Sequence, residues 1–310
     1  MKSYIFRRTA YIVPMLLVVS VFIFLILRLN GTDAAMSYLN ASGISPSDQA
    51  LAHAKEVLGL DKPLLQQYLL WLKKALTLDF GRSYITGSQV SADMAYYLPN
   101  TLKLIGFALL LTVAVSLPLG ILSALYKDKW VDHIVRFISF LGVSTPNFWL
   151  ALILISVFSV KFKILPPFGT GGLSHIIMPA FAISFMSIAI NARLIRTNML
   201  ELMHSRHVLY ANMRGIAKFQ VIVHYVLKNA LIPIVTALGM HLGELVGSAM
   251  VIENVFAYAG IGRYTVAAII NNDYPVIQSF ILFMALVFIV SNLITDIIYA
   301  YIDPRVRLAV

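Results

Sequence analysis

The chain has 310 residues, 59% hydrophobic and 12% charged, with a mean hydropathy of +0.82. A soluble domain carries about 25% charged residues, so this balance excludes an ordinary soluble enzyme and describes an integral membrane protein. The formal charge of +10 would suggest nucleic acid in a soluble chain, but here Lys and Arg sit in short segments between apolar runs, where topology and anionic lipid explain them. There is no cysteine, which excludes disulfides, thiolate metal sites and thiol nucleophiles. Neither a G-x-x-x-x-G-K-[ST] phosphate loop nor an H-E-x-x-H pair occurs, so ATP-driven work would need another chain.

In chain order, Lys2, Arg7 and Arg8 precede an apolar run over 10–27, with Arg28 directly behind it. The run is long enough to span a bilayer and too long for a signal-peptide core, so residues 1–29 read as an uncleaved first span with its N-terminus inside. Residues 30–97 are polar and mixed in charge and read as a small helical external subdomain. In it, Ser47 caps one helix, and Asp61 caps a second that runs through Trp71 and Leu78 with Pro63 in its first turn. Residues 98–310 are predicted to hold five further spans, over 101–126, 134–160, 176–200, 230–252 and 277–302. Pro146, inside the third span, removes a backbone hydrogen bond and predicts a kink or local unwinding. Residues 253–277 read as an outer re-entrant or loop segment. The fold class is therefore all-α, with six spans and both termini cytoplasmic. The short inner turns and loops hold most of the Lys and Arg, as that topology requires.

The most informative polar stretch is 201–229. It carries Arg206, Arg214, Lys218 and Lys228 against a single acid, Glu201, and so should face the cytoplasm. Ile216, Phe219, Val223 and Val226 are spaced by three, four and three, which predicts a helix with an apolar stripe on a wet background. Such a helix is a docking surface. Gly215, the amphipathic segment and Asn229-Ala230-Leu231-Ile232-Pro233 resemble the cytoplasmic coupling segment of ABC importer permeases. Leu209-Tyr210-Ala211 stand where the general motif has Glu-Ala-Ala, a departure typical of the peptide and nickel branch. The resemblance implies that Tyr210, Ala211, Arg214, Gly215 and Phe219 couple the chain to an ATPase.

On the fifth span, Gly239, Gly243 and Gly247 form a small stripe that lets another helix approach, while His241, Glu244 and Ser248 form a separate polar face. Ionisable residues inside a membrane are expensive and face a bundle interior or a wet path. A His and a carboxylate three residues apart can share one divalent ion, and imidazole suits nickel. A buried His–Glu pair with a purely structural role fits the same spacing. Ser187 and Asn191 on the fourth span, with Met240 and Ser248 on the fifth, are the candidates to line a path.

Other segments extend the resemblance over the whole chain: LGLDKPLLQQY at 58–68, Asp79-Phe80-Gly81-Arg82-Ser83, Glu253-Asn254-Val255-Phe256, Asp273-Tyr274-Pro275-Val276 and the ending at 292–305. Together with HLGE at 241–244 they resemble the first permease subunit of the peptide and nickel ABC importers, its nickel branch above all. The resemblance implies a bacterial inner-membrane permease that binds no cofactor itself, with ATP and Mg on partner subunits. It further implies a second homologous permease, two ATP-binding cassette ATPases, an extracytoplasmic solute-binding protein, and nickel or a nickel chelate as cargo. A di- or oligopeptide is the alternative cargo, and a secondary transporter or channel the alternative class.

Overall fold

An apolar segment in lipid must satisfy its backbone within itself, and a helix does so residue by residue. The computed structural model describes residues 8–29 and 34–302, and apart from one isolated bridge, Arg82 with Gln89, the regular elements among them are helical. They are α1 (Ile12–Leu29), α2 (Ala34–Ala41), α3 (Asp48–Val57), α4 (Leu64–Leu76), α5 (Val90–Leu125), α6 (Trp130–Ser144), α7 (Asn147–Leu154, continued as π-helix over Ile155–Lys161) and α8 (Leu173–Met203). There follow α9 (Arg206–Met213), α10 (Lys218–Gln220, π-helical Val221–Leu227, then Lys228–Ala230), α11 (Ile232–Val255), α12 (Ile261–Ile270) and α13 (Tyr274–Ile302). The expectations for Lys2 and Arg7, for the charges after residue 302, and hence for the side on which each terminus lies, fall outside the described residues.

Four helices, α1, α5, α8 and α13, are long and apolar enough to cross a membrane, and α6 with α7 makes a fifth if the bent pair is one span. The sixth expected span is α11. Its 24 residues measure about 36 Å at the helical rise and carry His241, Glu244 and Glu253.

Among the described residues two compact units can be distinguished: one holds Lys103–Tyr258 and residues 291–302, the other residues 8–29 and 34–102 together with Ala259–Val290. In the first, α8 is the central helix and packs against α6, α7 and α11. Leu104, Met178, Ile183, Leu245, Ile252 and Phe256 are buried in its main apolar cluster. Glycine sets how closely the helices approach. A Cβ at Gly142 would lie 2.5 Å from that of Ala189, and one at Gly120 would lie 2.6 Å from that of Ile195, so any side chain there would push α6 or α5 off α8.

The expected break at Pro146 is present and large: the axes of α6 and α7 bend by 109°. The ring of Pro146 drives Thr145 out of helical backbone (φ −98°, ψ 121°). The helix restarts at Asn147, whose Nδ2 donates to Ser248 Oγ of α11 at 3.0 Å.

At the other end of α6, Asp132 is fully buried. It accepts two bonds of 2.7 Å from Arg196 Nε and Nη2, one of 2.5 Å from Ser123 Oγ and one of 2.9 Å from the Asp128 backbone N–H. One carboxylate thus ties together α5, the turn before α6, and α8. Removing it leaves a part-buried guanidinium uncompensated. Asp132→Ala is therefore expected to destabilise this unit by about 3 kcal/mol, read as a lower melting temperature and less extractable folded protein. An unchanged melting temperature would show that the pair contributes nothing.

In the second unit Ser47 caps α3 as expected, its Oγ accepting from the Ala50 N–H at 3.1 Å. Asp61 does not cap α4. The N-cap position is Pro63, extended at ψ 143° and with no side-chain cap; Lys62, the residue before proline, is disfavoured in helical backbone, so a helix starting there behind an Asp61 cap is not formed. The short helix α2, which turn-rich sequence hid, packs Ala35 and Leu39 against Ala54 of α3. The segment 253–277 is not a loop throughout, since α12 lies within it. Ile261, Thr265 and Ala268 are its buried face, a helical spacing obscured by the small residues around it. Two segments singled out in the sequence meet here: Ser83 Oγ donates to Asp273 Oδ2 at 2.6 Å, joining 79–83 to 273–276. Tyr264 donates to Asp93 at 2.7 Å, and burial, with the Asp93 charge behind it, pushes its phenol well above the ordinary range.

Candidate functional site

The basic stretch folds as a short helix, a turn and a second helix. In α9, Val208 and Ala211 point inward and join a buried cluster with Ile195 and Met199 of α8 and Val221, Val226 and Ala230 of α10. With those two anchored, Leu209, Tyr210 and Met213 are left exposed on the opposite side. Helix α9 ends in a left-handed cap. Gly215 has φ +73°, its N–H bonds to Asn212 O at 3.0 Å, and the Ile216 N–H reaches back to Ala211 O at 3.2 Å. This is the Schellman pattern that favours glycine at that position.

Of the five residues implied in coupling, Tyr210, Arg214, Gly215 and Phe219 are exposed, and Ala211 is 3% exposed and belongs to the core. Leu209 and Met213, one helical turn apart, are apolar and exposed beside them, and that spacing of four around Tyr210 was the available signal. The stripe of Ile216, Phe219, Val223 and Val226, expected as one docking face, is split between the surface and the chain's own core. Val221 and Val226 are buried, and Phe219 is 74% exposed. The reason is the π-helical geometry over Val221–Leu227: with i→i+5 bonding, residues five apart share a face. The arrangement displays large apolar side chains among Arg206, Arg214 and Lys218, where no part of the chain's own core needs them.

On α11, His241 is 7% exposed, and its Nδ1–H donates to Glu244 Oε2 at 2.8 Å. Facing a carboxylate, which when ionised only accepts, Nδ1 is the protonated nitrogen, and in the neutral ring Nε2 then carries the lone pair. That Nε2 is buried with no hydrogen-bond partner, as are Ser187 Oγ and Asn191 Oδ1 of α8. Ser187 and Asn191 are enclosed within the packing of α8. Ser248 is half-buried and holds Asn147, and the side chain of Met240 lies outside the described residues. The glycine stripe is used at one end: a Cβ at Gly239 would overlap Thr295 of α13, while one at Gly247 would meet nothing within 4 Å. Among the described residues no three His, Asp or Glu side chains come together as a metal shell.

Long apolar helices, one pair of them broken at a proline, a half-buried polar pair on α11 and a capped helix displayed in a basic loop describe a polytopic membrane protein. Residues 116–308 match the family of binding-protein-dependent transport system inner membrane components, and residues 1–105 match the N-terminal family of the same membrane components. The chain belongs to this family and is a multi-pass inner-membrane permease subunit of an ABC importer. It is 36% identical to a dipeptide transport system permease of Alkalihalophilus pseudofirmus, covering 99% of this chain and 100% of that one. It is also 36% identical to a metal-staphylopine import system permease of Staphylococcus aureus, covering 99% of each. The inward-facing MetNI methionine ABC transporter superposes with a TM-score of 0.58 at 17% identity, over 68% of this chain and 96% of that one. An amino acid ABC transporter with histidines gives 0.54 at 18% identity, over 69% and 94%. At these identities the two structures establish the fold alone.

Proposed function

We propose that this permease passes a divalent metal ion, nickel first, free or chelated, into the cytoplasm. The observation that carries this is His241 Nε2, a buried imidazole nitrogen with no protein partner, on a ring oriented by a carboxylate at 2.8 Å. A ligating histidine is held in this way, its other nitrogen donating to a carboxylate that fixes the tautomer and raises basicity, and imidazole suits nickel. The pair thus supplies one ligand and its orienting group. Water, a chelator or a facing pair on a second permease completes a weak, transient shell. The metal-staphylopine relative supports this reading, and the dipeptide relative favours a peptide as the second one.

The chain forms one half of the path, with a second permease, two ATPases carrying ATP and Mg, and a solute-binding protein. ATP binding draws the α9 surfaces together and shifts a two-state equilibrium of the path. Purified alone, the chain is expected to hydrolyse no ATP. In proteoliposomes holding the complete importer, ATP-dependent uptake of radioactive nickel is expected, with no competition from dipeptides. ATP-dependent dipeptide uptake without nickel uptake would replace the metal by the peptide.

A further inference from the structure

We infer that the second unit holds a separate site for a single oxyanion group, a carboxylate or a phosphate, carried by a small solute or by a lipid headgroup. It is a cavity of about 370 Å³ between the end of α1, the α3–α4 connection and the first turn of α13, with Arg28, Gln67 and Gln278 in its lining.

Arg28 is the main donor. Its Nε donates to Gln67 Oε1 at 3.1 Å, and its guanidinium carbon lies 5.2 Å from the centre of the Phe24 ring. Gln67 is itself fixed, since its Nε2 donates to Lys62 O at 2.8 Å and Leu60 O at 3.2 Å. The guanidinium is therefore aimed, yet no carboxylate pairs with it among the described residues, and Nη1 and Nη2 have no acceptor there. A half-buried, pre-oriented guanidinium fork with no carboxylate partner among the described residues is an arrangement that takes a carboxylate or phosphate through two parallel bonds.

A second donor faces the same space. Gln278 is 5% exposed, and its Nε2 is buried with no partner. An unsatisfied buried N–H is costly, and an anion held by Arg28 would satisfy both groups at once. The lining also holds Lys62 and Lys74 against one acid, Glu56, all three exposed, so three cations face one carboxylate and the field favours an anion. Trp71 and Tyr84 give the cavity an aromatic wall for the apolar part of a ligand. Burial pushes the Tyr84 hydroxyl well above the ordinary phenol range, so that wall stays neutral. The size lies in the range of small-molecule sites, roughly 300–1,000 Å³. Phe80, Tyr274 and Pro275 of the lining come from the two segments that Ser83 and Asp273 join, which gives that junction a purpose beyond packing.

The test uses the complete importer in nanodiscs of phosphatidylcholine with or without phosphatidylglycerol. Native mass spectrometry counts retained phosphatidylglycerol, and fluorine NMR line broadening follows added fluorobenzoate. Retained phosphatidylglycerol assigns a headgroup, and broadened fluorobenzoate alone assigns a free carboxylate solute. Either supports the site provided that Arg28→Gln and Gln278→Leu each weaken binding about tenfold. Lys74→Gln, an exposed change that leaves the fold intact, is expected to weaken it about threefold. Failure of both probes to bind the wild-type importer, or equal binding by all three variants, overturns the proposal.

Discussion

Tyr210→Ala with Phe219→Ala is expected to separate the importer from its ATPases while leaving the permease folded and inserted. Both side chains are exposed, so truncating them removes nothing from the core and changes stability little. A surface aromatic that anchors in a partner's pocket carries about 2 kcal/mol, so two such anchors, if additive, amount to roughly a thousandfold in affinity. Gly215→Ala acts through the backbone instead. The left-handed φ of +73° costs a side-chain-bearing residue about 1 kcal/mol, loosening the end of α9 and weakening docking about fivefold. Gly215→Glu adds a carboxylate among Arg206, Arg214 and Lys218 and is expected to abolish coupling. Ala211→Asp is the contrasting control, because it buries a charge and should lose the fold itself. The measurement is co-purification of the ATPases with the permease pair, alongside protease protection as a check on insertion. Full retention of the ATPases by the Tyr210/Phe219 double variant would sink the docking role of this surface.

How much of this was legible in the sequence depends on the range over which each feature is determined. The Ser47 cap and the break at Pro146 are set within three or four residues, and both were readable. The exposed aromatics of 201–229 were only half readable. Their basic surroundings pointed to a surface, but the inward face follows a π-helical period over Val221–Leu227, which a period of 3.6 misassigns. The Arg196–Asp132 pair, the Ser83–Asp273 bond and the Arg28–Gln67 contact are tertiary: each joins residues far apart in the chain, and no local pattern announces which charges will meet. On α11, spacing alone placed His241 and Glu244 on one face but left two roles open, two ligands on one ion or a bonded pair. The 2.8 Å contact uses Nδ1 and one carboxylate oxygen, which leaves Nε2 as the ring nitrogen without a partner.

That geometry sets unequal expectations for the two residues. His241→Ala removes the ligating nitrogen and is expected to lower apparent nickel affinity in ATP-driven uptake on the order of a hundredfold, the upper end for losses in and around a metal shell. Glu244→Gln keeps an amide oxygen that can still accept from Nδ1–H but loses the charge that raises the basicity of the ring, and about tenfold is expected. Neither should change assembly greatly. Glu244 is a third exposed at its side chain, so Gln is readily accommodated, and His241→Ala can be checked by the amount of intact importer recovered. The same variants separate cargo from architecture. If the pair only braces α11, both substitutions reduce the yield of folded importer, and uptake per assembled complex stays at the wild-type rate. If the metal crosses wholly wrapped in a chelator, Nε2 never meets it, and again uptake per complex is unchanged. Wild-type nickel uptake per assembled complex in both variants would therefore falsify the metal station, and a reduced yield of folded importer beside it would leave the His241–Glu244 contact as a structural brace. A graded loss, larger for His241 than for Glu244 and specific to nickel over dipeptide, follows only if the buried nitrogen touches the ion as it passes.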